Sequence, residues 1–544
     1  MRSVTTRLMT GVMVVLPLLV ALPAVEGKEA SLFKNGDRWL LIGDSITNTD
    51  TYRQLMLRVL QHYHPEADIM VGNSAVNGVK SDYQEKRDFK PTFVTIMLGM
   101  NNIIHRDWPY ASGDMKKEME GYRSDIAVKV RDYKKLGADV VLMTPTYTDE
   151  RVLTYFNTTC TRRFLEGFGR VVREVAAAEG CGWVPVGEEM EAFQDTLGEN
   201  ENVRPDGVHP HGWGQYQIAR SLWEHLNVAG ELGGRRNVVA ASKPVPVTVT
   251  LASRFMHEPI DGITLSLASV SALTVKARWS LDGDHGTVLL KVGAAPLSWK
   301  IPASMTTLKV EPGRRKWLIV DLTEGDRSSL YVIDLARTRI LTAVDGVVKG
   351  TFESGKDRPE GRHVGEWSIR EQDGELQVSG EIIDSEIVAT RDWPFARDGV
   401  HLYLDTRPKD RFASVNPDRD LYGIILGVRE KPVFAVSPMA WLGPRLQYAM
   451  SATGEKTAAG YKFWLGVRGG VCDFRKFDIR TLDYYGINLF TIDADDKPND
   501  TVICPAMPTQ FDDNPVQGLN TLMIVDRKGV FPGKETTNLQ LFGR

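Results

Sequence analysis

The run "LLIGDSIT" leaves an apolar stretch through Gly43, Asp44 and Ser45, which puts a serine hydroxyl at the exit of a buried segment. A hydroxyl is a weak nucleophile until a base takes its proton, and that base works best when a third group orients it. Among the ten histidines, His209 meets both demands, because it follows Asp206 by three positions in the Gly- and Pro-containing loop "RPDGVHPHGWG". Two further stretches can join the backbone N–H of Ser45 in binding a developing oxyanion. "GNSAVNGVKSD" offers Gly78, where no Cβ obstructs a substrate, and "MLGMNN" offers the side-chain amide of Asn101. Read singly, Ser45 is a good helix N-cap, Asp44 a residue that holds a turn, and Asp206 and His209 a polar loop. Read together, they are the parts of acyl transfer through a tetrahedral intermediate.

These side chains can meet only if strands carry them to one edge. From Asp37 to about Leu226, apolar runs ("WLLI", "ADIMVG", "FVTIML", "ADVVLM", "GWVPV") alternate with amphipathic stretches such as "TYRQLMLRVLQHYH" and "DMKKEMEGYRSDIAVKVRDYKKLG". That alternation predicts a mostly parallel sheet covered by helices on both faces. Ligands of such sheets sit beyond the carboxyl ends of the strands, where Ser45 and both donor stretches fall. The Asp206–His209 loop runs into a helix with Tyr216, Ala219, Leu222, Trp223 and Leu226 on its apolar face. Beyond "NVAGELGGRRNVVAASKPVPVTVT" the helical period is lost, and short alternating runs predict two β-sandwich-like units. The resulting scheme is a leader at 1–27, an α/β domain at 30–230, a β-rich middle domain at 231–350 and a β-sandwich at 351–544.

Four blocks, in order and each after an apolar strand, resemble those of the SGNH hydrolases of the GDSL esterase superfamily. They are Gly43-Asp44-Ser45, the glycine of "NSAVNG", Gly99-Met100-Asn101-Asn102 and Asp206-Gly207-Val208-His209. The resemblance implies a flavodoxin-like three-layer domain needing neither metal nor cofactor. It makes Ser45 the nucleophile, His209 the general base and Asp206 its orienter, with Gly78 and Asn101 joining the Ser45 N–H in the oxyanion hole. The third block usually ends in Asp where this chain has Asn102, but the donor is the preceding Asn101. Asp44 and Asn102 are candidates for touching substrate, and His105 and Trp108 stand where an acyl pocket could be shaped. His211 lies on the same loop and could line the site, but it reads better as a solvated surface residue. No Gly-x-Ser-x-Gly surrounds Ser45, which argues against an α/β-hydrolase elbow.

In the last unit, "DGVHLYLDTRP" and "GEWSIREQDGELQVSGEIIDS" resemble strands of family-nine carbohydrate-binding modules, with Asp384, Asp398 and Asp405 beside them. Sugar binding there would fall to Trp393, Trp441 and Trp464, for each of which core packing is the even alternative. The acidic run "IDADDKPND" fits no EF-hand spacing and reads as a solvated turn.

Composition narrows the remaining classes. With 66 basic and 70 acidic residues and a net charge of −4, the chain has no field to gather nucleic acid or an anionic membrane. Arg2 and Arg7 precede an uncharged run from Leu8 to Val25, which predicts a secretory signal peptide cleaved after Ala24 or Gly27 and a secreted or periplasmic protein not inserted in the membrane. An uncleaved anchor is the alternative. Cys160 and Cys181 flank a helical pattern that would hold them nearly 30 Å apart at about 1.5 Å per residue, so no disulfide is expected between them. Cys472 and Cys504 are free to pair or not. The expected function is an exported serine esterase that deacetylates a carbohydrate. Its rivals are a short-chain acyl or lipid esterase with the β units as spacers, and a polysaccharide-binding protein with an idle α/β domain. Neither the oligomeric state nor the use of the middle domain is legible.

Overall fold

Strand β1 (Arg38–Gly43) buries Trp39, Leu40, Leu41 and Ile42, so both faces of its sheet are covered. The computed structural model describes residues 33–84, 88–103, 112–149, 158–197, 202–204, 207–210, 212–226, 243–251, 255–256, 262–281, 283–301, 316–337, 340–341, 343–352, 364–384, 399–405, 421–427, 433–436, 450–468, 482–494, 501–505, 523–526, 537–538 and 541–543. The expected leader therefore lies outside the described residues, as do His105, Trp108, Asp206, His211, Trp393, Asp398 and Trp441.

The first sheet orders its five strands β2 (Met70–Asn73), β1, β3 (Phe93–Met97), β4 (Asp139–Met143) and β5 (Gly182–Val184). All neighbours are parallel, as predicted. The chain steps from β1 out to β2 and then crosses back to β3, which opens a crevice beyond the carboxyl ends of β1 and β3. Short helices α1 (Ser45–Asn48) and α3 (Met100–Ile103) follow those two strands, interleaved in sequence with α2 (Thr51–Tyr63). The layers are completed by α4 (Ser112–Lys135), α5 (Thr158–Glu179), α6 (Val186–Gln194) and α7 (Trp213–Leu226). Cys181, just past α5, is buried and free. Among the described residues, no helix is long and apolar enough to cross a membrane.

Mostly antiparallel β-structure follows, in two sandwiches. In the middle one, a sheet of strands Asp284–Val292, Leu273–Leu281, Lys316–Glu324, Arg327–Arg337 and Leu541–Gly543 shares an apolar core with a sheet of Leu297–Ile301, Ile263–Ala268, Thr248–Leu251 and Thr537–Asn538. The pairing thus brings residues 537–538 and 541–543 back to the middle sandwich, while Ile340–Leu341 pairs with Met523–Asp526 in the terminal one. The scheme with one boundary at 350 does not include this return, because a two- or three-residue strand carries almost no periodic signal.

Strand Lys316–Glu324 explains how the middle sandwich meets the catalytic region. Side chains alternate between the two faces of a strand. Leu318, Val320 and Leu322 enter the sandwich core, whereas Trp317 and Ile319 join the core of the α/β unit. The neighbouring strand divides likewise, with Tyr331, Ile333 and Leu335 on one side and Leu330 and Val332 on the other. Polar groups seal the joint: Trp317 Nε1–H donates to Tyr216 Oη at 3.2 Å, His62 Nδ1 and Ser280 Oγ are 2.7 Å apart, and the Arg278 guanidinium lies 5.4 Å from the Tyr63 ring centre.

Candidate active site

Gly43 ends β1 with Thr47 folded tightly against it, and a Cβ at position 43 would lie 2.0 Å from Thr47 Oγ1. Only glycine fits this exit. Tyr52 Oη donates to the same Thr47 hydroxyl at 3.0 Å, locking the turn from the far side. Asp44 caps α1, its Oδ1 accepting from Ile46 N–H at 3.0 Å. The residue is 2% exposed, and burial pushes its pKa up to about 6 against the opposing pull of the Ile46 N–H and His209. The local role expected of Asp44 agrees with this geometry, and its buried carboxyl is not set to contact a substrate.

Ser45, the residue after the cap, places Oγ 2.8 Å from His209 Nε2 across 164 positions of sequence. With the ring in the tautomer that leaves Nε2 unprotonated, this contact lets the hydroxyl proton pass to the imidazole. The loop bearing His209 is anchored from below. Arg204, 1% exposed, donates to Tyr147 O at 2.6 Å and pairs with Glu191 on α6. Asn202 donates to Asp149 Oδ2 at 2.6 Å, and Asp149 N–H donates to Gly207 O at 2.9 Å. Asp206 lies between these anchored residues but outside the described set.

The two expected donors stand on adjoining segments. Gly78 is exposed on the loop after β2 and has φ +76°, a conformation that favours glycine. Asn101, the second residue of α3, is 5% exposed and gives one amide hydrogen to Val79 O at 3.1 Å, which ties it to that loop. A primary amide has a second hydrogen to offer.

Asn102 differs from its expected use. Its Oδ1 accepts from Ser81 N–H at 3.0 Å and its Nδ2–H donates to Ser81 Oγ at 2.8 Å, while Ser81 Oγ–H donates to Asp125 Oδ2 at 2.6 Å. Asn102 is therefore a brace for the Gly78 loop rather than a group facing substrate. The chain of donors also rationalises Asn where the resembled family has Asp: a second carboxylate would compete with Asp125 for one hydroxyl hydrogen. Neither Ser81 nor Arg204 was legible as part of the site, since their partners are distant in sequence and their types are common.

Trp464 lies in strand Gly460–Arg468, where Tyr461, Phe463, Leu465 and Val467 fill the terminal core. By alternation Trp464 takes the opposite face, half-buried, beside Ser379 and Thr453 of the flanking strands. Core packing is thus not its role. Asp384, by contrast, is buried.

This sheet order, with a serine and a histidine meeting beyond its strand ends, defines an SGNH-type hydrolase domain. Residues 41–217 match the GDSL-like Lipase/Acylhydrolase family. An acetylxylan esterase of Geobacillus stearothermophilus is 27% identical over 222 residues, which are 35% of this chain and 94% of the relative. Crystal structures of an acetylxylan esterase from that organism are 24% identical, with TM-score 0.30, and cover 38% of this chain and 99% of their own. A gut microbial diltiazem-metabolizing enzyme is 14% identical, with TM-score 0.33, over 48% of this chain and 72% of its own. The protein carries a GDSL/SGNH hydrolase domain and is a carboxylic ester hydrolase.

Proposed function

We propose that the protein is an exported serine esterase that removes acetyl groups from a carbohydrate. The 2.8 Å contact between Ser45 Oγ and His209 Nε2 carries the mechanism. Ser45 Oγ attacks the ester carbonyl carbon as its proton moves to His209 Nε2. The tetrahedral oxyanion is held by the Ser45 N–H, the Gly78 N–H and the second amide hydrogen of Asn101, and losing one such donor typically costs about 10²–10³ in turnover. His209 then protonates the leaving alcohol, and water repeats the sequence on the acyl-serine. Asp206, three residues upstream, is assigned to orient the ring.

Three observations support the acetyl-carbohydrate preference and export: the acetylxylan esterase relative, whose length this chain spans almost fully, the outward Trp464 on the terminal sandwich, and the apolar leader with its basic head. An aromatic ring on an open sheet face is a platform on which a sugar ring can stack. The test compares wild type with Ser45→Ala on aryl acetates, on acetylated xylan and on esters of increasing acyl length. The proposal expects Ser45→Ala to lose at least about 10³-fold on every substrate, and expects wild type to favour acetyl over longer chains. Full activity in Ser45→Ala rejects the mechanism, and rates that rise with acyl length reject the acetyl preference.

A further inference from the structure

Gln215 lies in the first turn of α7 and is 2% exposed. Its one amide group reaches three backbone positions. Nε2–H donates to Pro210 O at 2.9 Å and to Ile46 O at 3.4 Å, and Oε1 accepts from Tyr52 N–H at 3.3 Å. An amide has two hydrogens and an acceptor oxygen, so all three bonds can exist together. Pro210 directly follows His209, and Ile46 directly follows Ser45. The same side chain therefore spans the two turns whose tips make the Ser45–His209 contact. Its third bond satisfies an N–H in the first turn of α2, whose cap residue Asp50 makes no side-chain capping bond.

We propose that Gln215 is a positioning residue that sets the separation of Ser45 and His209. The proposal rests on the esterase reading above. Gln215 exchanges no proton: the Ser45 O–H bond breaks, the new bond forms from Oγ to the carbonyl carbon, and His209 holds the proton until the alcohol leaves. What Gln215 supplies is registry between two loops that, among the described residues, no strand pair joins directly. A misplacement of about 1 Å in such a pair can cost about 10²-fold in rate.

The test uses the full-length protein as Gln215→Met and Gln215→Glu. Methionine matches the shape and makes none of the three bonds. Ionised glutamate still accepts from Tyr52 N–H but offers no hydrogen to Ile46 O or Pro210 O, so it isolates the bridge between the loops. The readouts are kcat and KM on an aryl acetate, thermal unfolding, and the rate of inactivation by an organophosphonate that bonds to an activated serine. The expected result in folded protein is kcat lowered about 10- to 100-fold with KM within about two-fold of wild type, and phosphonylation slowed in parallel. If Gln215→Met does not fold, Gln215→Glu decides. Wild-type kcat in either folded variant, or a loss that only tracks the unfolded fraction, overturns the proposal while an inactive Ser45→Ala leaves the esterase reading intact. Activity indifferent to Ser45→Ala overturns that reading instead.

Discussion

Strand Lys316–Glu324 of the middle sandwich buries both of its faces, whereas strand Glu375–Ile383 of the terminal sandwich buries Leu376, Val378 and Ile382 and leaves Gln377, Ser379 and Glu381 at least partly in solvent. Both strands are nine residues long and both pair antiparallel on either side. The first closes a core that includes residues of the α/β unit, while the second closes a core that, among the described residues, contains none of them. Two units with one architecture thus stand in different relations to catalysis. The middle sandwich supports α2 and α7, and α7 begins just past the His209 loop; among the described residues, the terminal sandwich closes its core without the α/β unit and turns its other face outward.

The largest expected difference between the two sandwiches is in folding. Trp317→Ala should cost about 3–5 kcal/mol, and Leu376→Ala about 2–5 kcal/mol. Only the first is expected to lower the unfolding transition that extinguishes ester hydrolysis, as read by activity against temperature; equal lowering by both would erase the distinction.

Acid sharpens the same joint. Burial, reinforced by Arg278 and His285, pushes the His62 imidazole down to about 3, below its ordinary 6.5, with Ser280, Tyr63 and Asp321 also facing this region. The folded state thus keeps His62 neutral while the unfolded chain takes up a proton. Its contribution is intact above pH 6.5 and is lost progressively as pH falls toward 3, at up to about 1.4 kcal/mol per pH unit. Denaturant unfolding at several pH values should show this slope reduced in His62→Gln; an unchanged slope would place the acid sensitivity elsewhere.

Smaller again is Asn102→Asp, which should destabilise the α/β unit by about 1–2 kcal/mol by setting a second carboxylate against Ser81 and Asp125. Thermal melts at pH 7 check it, and a more stable variant would contradict the hydrogen directions assigned to that chain. The smallest change in stability, within about 1 kcal/mol, is expected for Trp464→Ala on the open face. Sedimentation with insoluble acetylated xylan should nonetheless show weakened retention, with aryl acetate turnover untouched. Undiminished retention would leave the terminal sandwich without the sugar-binding face assigned to it.

Legibility in the sequence followed chemical necessity. Ser45, His209, Gly78 and Asn101 could be singled out because the proposed reaction restricts residue type at each place, and the parallel sheet because its apolar runs alternate with helical ones. Gln215 could not, for its partner Ile46 lies 169 positions away and nothing in the type of a glutamine announces a bridge. Trp317 and Ile319 carried a usable hint, since "KWLIVDL" is apolar at nearly every position, the mark of a strand covered on both faces. What no run of residues could state is which unit supplies the second cover.

The mechanism stands on Ser45 being activated by His209, and peptide mass mapping after treatment with an organophosphonate addresses that directly. One adduct is expected, on the peptide carrying Ser45, formed at least about 10²-fold more slowly in His209→Ala and absent in Ser45→Ala. An adduct on another residue, or labelling of Ser45 at the wild-type rate in His209→Ala, would contradict it.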